Sequence, residues 1–127
     1  MSKKVVIFVD DEPLIHRLIK MKFRREINEG EFELISYYDG EECLGKFLDG
    51  THVNVDNMIL FSDISMPKLD GINMSKEILG LHPGLDLYLI SSLSMDEYKE
   101  MAKGRLDVTF FKKPLDFSKI EEIILNK

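Results

Sequence analysis

Four groups of side chains in this sequence are equipped for chemistry. Asp10-Asp11-Glu12 follows the apolar run Val5–Val9, and Asp63 follows Met58–Phe61. Ser91-Ser92 follows Leu85–Ile90, and Lys112-Lys113-Pro114 follows Val108–Phe111. Carboxylates gathered in one partly dry place repel each other. A hard divalent cation relieves that repulsion. Mg²⁺ suits such a set, because it takes oxygen ligands, keeps several waters and favours sites with phosphate oxygens. Asp10 and Asp11 are therefore expected to hold Mg²⁺, directly or through water. Asp63 would lend it one oxygen, and the backbone carbonyl of Ser65 would complete the protein ligands. The second Asp63 oxygen is then a nucleophile whose attack on phosphorus gives an acyl phosphate. The metal and the Lys113 ammonium neutralise charge on the transferred group, and the Ser91 hydroxyl donates to a phosphoryl oxygen.

Taken singly, each group has a plainer reading. Asp10-Asp11-Glu12-Pro13 makes a good helix start, since acids favour the N-terminal turn. Asp63 alone is a polar residue at a strand end, and Lys112-Lys113-Pro114 alone is a solvated loop. The weight comes from all four groups falling at successive strand ends, where ligands bind in open α/β sheets.

The elements that must position them are legible as apolar runs. Lys4–Val9, Phe32–Tyr37, Met58–Phe61, Leu85–Ile90 and Val108–Phe111 are the candidate strands. Several are continuous rather than alternating, as strands buried on both faces are. Between them lie helical spacings. Leu14, Ile15, Leu18, Ile19, Lys22, Phe23 and Ile27 outline one face, and Leu44, Phe47 and Leu48 a weaker one. Ile72, Ile78 and Leu79 suggest a third, Met95, Tyr98, Met101 and Ala102 a fourth, and Phe117, Ile120, Ile123 and Ile124 the last. Pro13 marks a helix start with Asp11 or Glu12 as cap. Asp39-Gly40, Asp49-Gly50 and Asp70-Gly71 are turn signals, Gly104 is placed to end the fourth helix, and Thr51–Asn57 reads as a long polar loop. Strand and helix alternate five times, which specifies an α/β domain with a mostly parallel sheet and helices on both faces.

Composition narrows the function classes. A length of 127 residues suits one domain spanning 1–127, and 44% hydrophobic residues suffice for a core. Lys+Arg 17 against Asp+Glu 23 gives −6, which disfavours general binding to nucleic acid or anionic membrane. The longest apolar run is far short of the roughly 20 residues of a membrane span. The N-terminus lacks a signal-peptide pattern, so a cytoplasmic location is expected. One cysteine, Cys43, excludes an internal disulfide framework, and His16, His52 and His82 lack ligand spacing and read as surface or packing residues.

Over essentially its whole length the sequence resembles the receiver domain of two-component response regulators. The matching stretches are Val5–Pro13, Asp63-Ile64-Ser65-Met66-Pro67-Lys68-Leu69-Asp70-Gly71, Leu89–Ser92 and Phe110–Pro114. The resemblance implies a flavodoxin-like, three-layer domain: a five-stranded parallel sheet of order 2-1-3-4-5 with five helices. It implies that Asp63 accepts a phosphoryl group from a sensor histidine kinase or histidine phosphotransfer protein, with Asp10 and Asp11 as the metal-binding pair. Ser91 takes the switch-hydroxyl position, Lys113 that of the pocket lysine, and Phe110 that of the switch aromatic, expected to turn from solvent to interior on phosphorylation. Pro67 and Gly71 match the turn after the phosphorylation site, and the Lys113–Pro114 bond is commonly cis in this family. The fourth helix, fifth strand and fifth helix would then change shape for a downstream output protein or domain, and a phosphorylation-dependent dimer is among the implied states.

Some positions depart from the family's pattern. Ser91 replaces the commoner threonine, Ser92 a smaller residue, and Ser65 and Leu93 stand where side chains help or hinder an attacking water. Three other readings compete. A pseudo-receiver interaction module would never turn over phosphate, and the intact Asp10, Asp11, Asp63 and Lys113 argue against it. A phosphate-ester hydrolase would want a second acid and a cap. A flavin-binding domain would want a Ser/Thr/Gly-rich loop where this chain has carboxylates. The expected role is that of a signalling protein rather than a conventional enzyme.

Overall fold

The structure, a computed structural model, describes residues 3–103, 106 and 108–126. Five strands, β1 (Val5–Val9), β2 (Glu33–Tyr37), β3 (Met58–Asp63), β4 (Asp86–Ser91) and β5 (Thr109–Lys112), form one parallel sheet of order β2-β1-β3-β4-β5. The helices among the described residues are α1 (Pro13–Lys22), α2 (Arg24–Asn28), α3 (Gly40–Leu48), α4 (Gly71–Leu81), α5 (Met95–Ala102) and α6 (Phe117–Leu125).

Alternate residues of the central strands feed opposite cores, which is the strand period of two made physical. Ile7, Val9, Leu60, Leu87 and Leu89 face Cys43, Phe47, Ile72, Ile78 and Tyr98 of α3, α4 and α5. Val6, Phe8, Ile59, Phe61, Tyr88 and Ile90 face Ile19, Phe23, Ile120 and Ile124 from the α1 and α6 side. Burying each such side chain contributes roughly 1.5–3 kcal/mol. On the second face a stack of rings crosses four strands: Phe8 on Phe61 at 5.8 Å, Phe61 on Tyr88 at 5.3 Å and Tyr88 on Phe111 at 6.0 Å. The edge strands β2 and β5 are less buried than the three between them.

Helix starts follow the capping chemistry. Pro13 opens α1 behind Glu12, whose side chain makes no capping bond. Asp39 and Asp70 accept from the amides of Glu42 and Asn73, so two of the three Asp-Gly signals are helix caps rather than free turns. Ser94 and Glu97 form a reciprocal capping box, and Asp116 caps α6.

The sequence reading differs from the fold in several places. It gave five helices, whereas the first helical stretch divides into α1 and α2 at Phe23, whose backbone leaves helical geometry (φ −107, ψ 21) as its ring turns into the core against Phe32. The inward face of α1 is also rotated: His16, Ile19 and Phe23 are buried, while Leu14 is 54% exposed. On α3, Cys43 and Phe47 point inward and Leu48 points out. Gly104 lies outside the described residues, and the left-handed cap of α5 falls on Lys103 (φ 52). The stretch Thr51–Asn57 is a loop, pinned by the buried His52, whose Nε2 shares a 2.7 Å hydrogen bond with the Tyr37 hydroxyl and whose amide donates to the Lys46 carbonyl.

Candidate functional site

The sheet does not stop its hydrogen bonding where the strands end, and this is what assembles the site. The Asp10 amide donates to the Tyr37 carbonyl at 3.1 Å, the Ile64 amide to Ile90 at 3.2 Å and the Lys113 amide to Ser91 at 2.7 Å. Asp63, the last residue of the central strand β3, is thereby held between Asp10 on one side and Lys113 on the other. One carboxylate oxygen from each of Asp10, Asp11 and Asp63 lies within 4.8 Å of the others. Asp10 and Asp63 are buried, at 1% and 5% exposure, whereas Asp11 is exposed at the rim. Two carboxylates thus form a floor and the third an open edge through which a ligand reaches them.

Lys113 Nζ lies 3.4 Å from Asp10 Oδ2 and 3.3 Å from Asp63 Oδ2, so one ammonium is shared by two carboxylates. Both distances exceed the usual 2.7–2.9 Å of a charge-assisted bond. Burial raises the Asp63 pKa above the ordinary aspartate range; Lys113 and the Ser65 amide pull it down, and Asp10 pushes it further up. Burial also works against the charged form of Lys113, but Asp63 and Asp10 outweigh it and hold that pKa above the usual lysine value. The Glu12 amide donates to Asp10 Oδ1 at 2.9 Å and fixes that carboxylate's second oxygen. One ammonium against three carboxylates leaves the cluster short of positive charge. Its donors are all hard oxygens, so the residues present fit a Mg²⁺ ion held by Asp10, Asp11 and Asp63.

The loop after Asp63 is shaped by close backbone contact. A Cβ on Gly71 would sit 2.1 Å from the Asp63 carbonyl oxygen, so only glycine lets α4 start there. The Gly71 amide donates to the Ile64 carbonyl at 2.8 Å. Lys68, next to Pro67, takes φ 68, and the Leu69 amide returns to the Pro67 carbonyl at 2.8 Å, a tight turn in a sparsely populated conformation. Ser65 is exposed beside the acids. The peptide bond before Pro114 is cis, as the resemblance implied.

Ser91 is fully buried, and its hydroxyl oxygen accepts from the Leu93 amide at 3.2 Å, which leaves its proton to donate elsewhere. Ser92 and Lys112 are exposed. Phe110 is half-buried and stacked on Tyr98 at 4.8 Å and 15°, rather than directed to solvent. On α5, Met95 and Met101 are exposed while Tyr98 packs inward. Two contacts at this end of the sheet were not foreseen from the sequence: Tyr98, placed only on an apolar helix face, is the partner of Phe110, and His16 Nε2 lies 2.7 Å from the Asp10 carbonyl. His16 falls in register with Ile19 and Phe23, the only hint that it faces inward.

A family model described as the response regulator receiver domain matches residues 6–125. Among curated relatives, the response regulator GtcR of Aneurinibacillus migulanus is 30% identical over 113 residues, covering 89% of this chain and 43% of that protein. The chain spans less than half the length of the curated relatives it matches. Among solved structures, the response regulator TrrA of Thermotoga maritima, in complex with Mg²⁺ and beryllofluoride, superposes with a TM-score of 0.75 at 26% identity, covering 97% of each chain. The CheX–CheY–BeF₃–Mg²⁺ complex of Borrelia burgdorferi gives 0.75 at 27% identity, covering 97% of this chain and 87% of that one.

Proposed function

The chain belongs to the response regulator receiver domain family, and on that premise we propose that it accepts a phosphoryl group on Asp63 in a Mg²⁺-dependent step of two-component signalling. The observation that carries the reading is the shared Lys113: one ammonium reaches both Asp10 and Asp63 while three carboxylate oxygens lie within 4.8 Å. This complete set works against a module that never turns over phosphate. Asp10, Asp11, Asp63 and the Ser65 carbonyl would hold the Mg²⁺ ion. When bound, the ion supplies positive charge to phosphoryl oxygens and relieves the carboxylate repulsion.

The chain's own residues do the rest. An Asp63 carboxylate oxygen attacks phosphorus, a P–O bond forms, and the P–N bond to the imidazole of a phosphohistidine donor breaks, the electron pair leaving with nitrogen. Lys113 lies against the attacking carboxylate and turns its ammonium to the transferred oxygens. The Ser91 hydroxyl donates to one of them, using the proton that its contact with the Leu93 amide leaves free. The donor is a sensor histidine kinase or histidine phosphotransfer protein, and the setting is cytoplasmic. The added charge, about −1.5 to −2 on ordinary phosphorylated side chains, shifts an existing equilibrium in which Ser91 moves inward and the Phe110–Tyr98 pair follows. The face built by α5, β5 and α6 then presents a changed surface to an output partner or to a second copy. The domain is consumed in its own modification and regenerated by hydrolysis, so it acts as a signalling protein, with 1–127 as one receiver domain.

The test is intact-protein mass after incubation with acetyl phosphate and Mg²⁺. The expected result is the gain of one phosphoryl group, lost in Asp63→Asn. A gain that persists in Asp63→Asn would place the acceptor elsewhere.

A further inference from the structure

We infer that His16 is a positioning residue for the acidic pair: its Nε2–H donates to the Asp10 carbonyl and fixes the peptide plane from which Asp10 and Asp11 reach the metal. This rests on the Mg²⁺ site proposed above.

His16 lies in the second turn of α1 and is 1% exposed, with Nε2 2.7 Å from the Asp10 carbonyl oxygen. A carbonyl only accepts, so Nε2 carries the hydrogen and Nδ1 keeps a lone pair. That Nδ1 is buried with no hydrogen-bond partner among the described residues. An unsatisfied buried acceptor is costly, and an apolar side chain of similar size would fill the same space against Phe8 and Tyr38 without it. Packing therefore does not account for an imidazole here; its hydrogen bond to the Asp10 carbonyl does.

That bond falls where the metal site is most sensitive. The Asp10 carbonyl belongs to the planar unit joining Asp10 to Asp11. The unit's preceding amide, on Asp10, is fixed by the Tyr37 carbonyl, and the Asp10 side chain is fixed by the Glu12 amide. His16 adds a restraint from α1, so rotation of this plane is resisted from strand and helix together. Asp11 is exposed, and its carboxylate relies on the backbone for its placement. Outer partners of metal ligands act in this way, and their loss commonly weakens metal binding about 10–100-fold.

The test is calorimetric titration of the unphosphorylated protein with Mg²⁺ alone, for wild type, His16→Gln, His16→Phe and His16→Met. Gln reaches about as far as His Nε2 and keeps a donor. Phe keeps the ring against Tyr38 and removes the donor, and Met is a second donor-free variant should Phe not fold. The expected result is a Mg²⁺ dissociation constant raised roughly tenfold in the donor-free variants and rescued to within about twofold by Gln. The Mg²⁺ concentration for half-maximal phosphorylation should rise by the same factor, with the rate at saturating Mg²⁺ nearly unchanged. Unchanged Mg²⁺ affinity in folded Phe or Met variants, or a loss in Gln as large as theirs, overturns the inference and leaves the site reading standing. Failure of wild type itself to bind Mg²⁺ overturns both.

Discussion

Lys113 competes for the carboxylates that a divalent cation needs. Its ammonium lies between Asp10 and Asp63, 3.4 Å and 3.3 Å from their oxygens. Removing it should therefore have opposite effects on the two steps proposed for the site. In Lys113→Met, Mg²⁺ binding should tighten, because the competing charge is gone, while phosphorylation by acetyl phosphate should slow about 100-fold, the usual cost of losing one charge-stabilising group. Titration calorimetry and timed mass spectra read the two effects separately; a parallel loss of both would mean that Lys113 only holds the structure together. Asp10, Asp63 and Lys113 were legible in the sequence because each is a charge placed directly after, or one residue beyond, a buried apolar run. His16 was not. Its neighbours Leu14, Ile15, Leu18 and Ile19 form so broad an apolar stripe that the helix's rotation is undetermined by pattern, and the side chain that faces Asp10 is settled only by packing.

Between elements, the same reasoning separates what pattern reveals from what contact decides. All five strands stand within two residues of their apolar runs, because each strand carries its apolar residues as a near-continuous block and its polar ones mainly at the ends. The break between α1 and α2 was hidden, since Phe23 continues the apolar spacing while its backbone departs from the helix. Gly71 is a contact of this kind between β3 and α4. Gly71→Ala should destabilise the domain by about 3 kcal/mol or more through overpacking against the Asp63 carbonyl, read as a shift in urea midpoint. The Tyr98–Phe110 stack ties α5 to β5, and a double-mutant cycle with Tyr98→Leu and Phe110→Leu should give a coupling of about 0.5–1.5 kcal/mol. The loop at residues 51–57 has a pH signature. Burial lowers the His52 pKa below 6.5; Asp49 and Glu33 oppose this and Lys46 adds to it. Below pH 6.5 the unfolded chain takes a proton that folded His52 refuses, so stability falls with pH until the folded pKa is passed. His52→Gln should remove that part of the slope, measured as urea midpoints between pH 7.5 and 5. The Tyr37 pKa is raised to about 12 mainly by burial, so its contribution is present below pH 10 and is lost as pH climbs through the folded value.

For the molecule as a whole, the sheet gives the proposed modification of one side chain a route to a distant face. Asp63 ends the central strand, and its backbone neighbours reach Ile90, Ser91 and Lys113 through the continued ladder. In the proposed switch, an inward pull on Ser91 would be felt on β5, where Phe110 is stacked on Tyr98 of α5. The sheet order was legible because alternating strand and helix units leave few topologies, and the resemblance selected one of them. The paired aromatic hinge was not, since Tyr98 and Phe110 are joined only after β5 is laid beside β4. Net charge −6 gives the domain an acidic character, and the proposed phosphorylation would deepen it. Reductive trapping reads the chemistry at the centre of this arrangement. Borohydride converts an aspartyl phosphate to homoserine, and peptide mass mapping then locates it. After acetyl phosphate and Mg²⁺, homoserine should stand at position 63 alone, and chelation of the metal beforehand should abolish it. Homoserine at another position, or at 63 with the metal removed, would contradict the assembly of Asp10, Asp11, Asp63 and Lys113 as one magnesium-dependent phosphoacceptor.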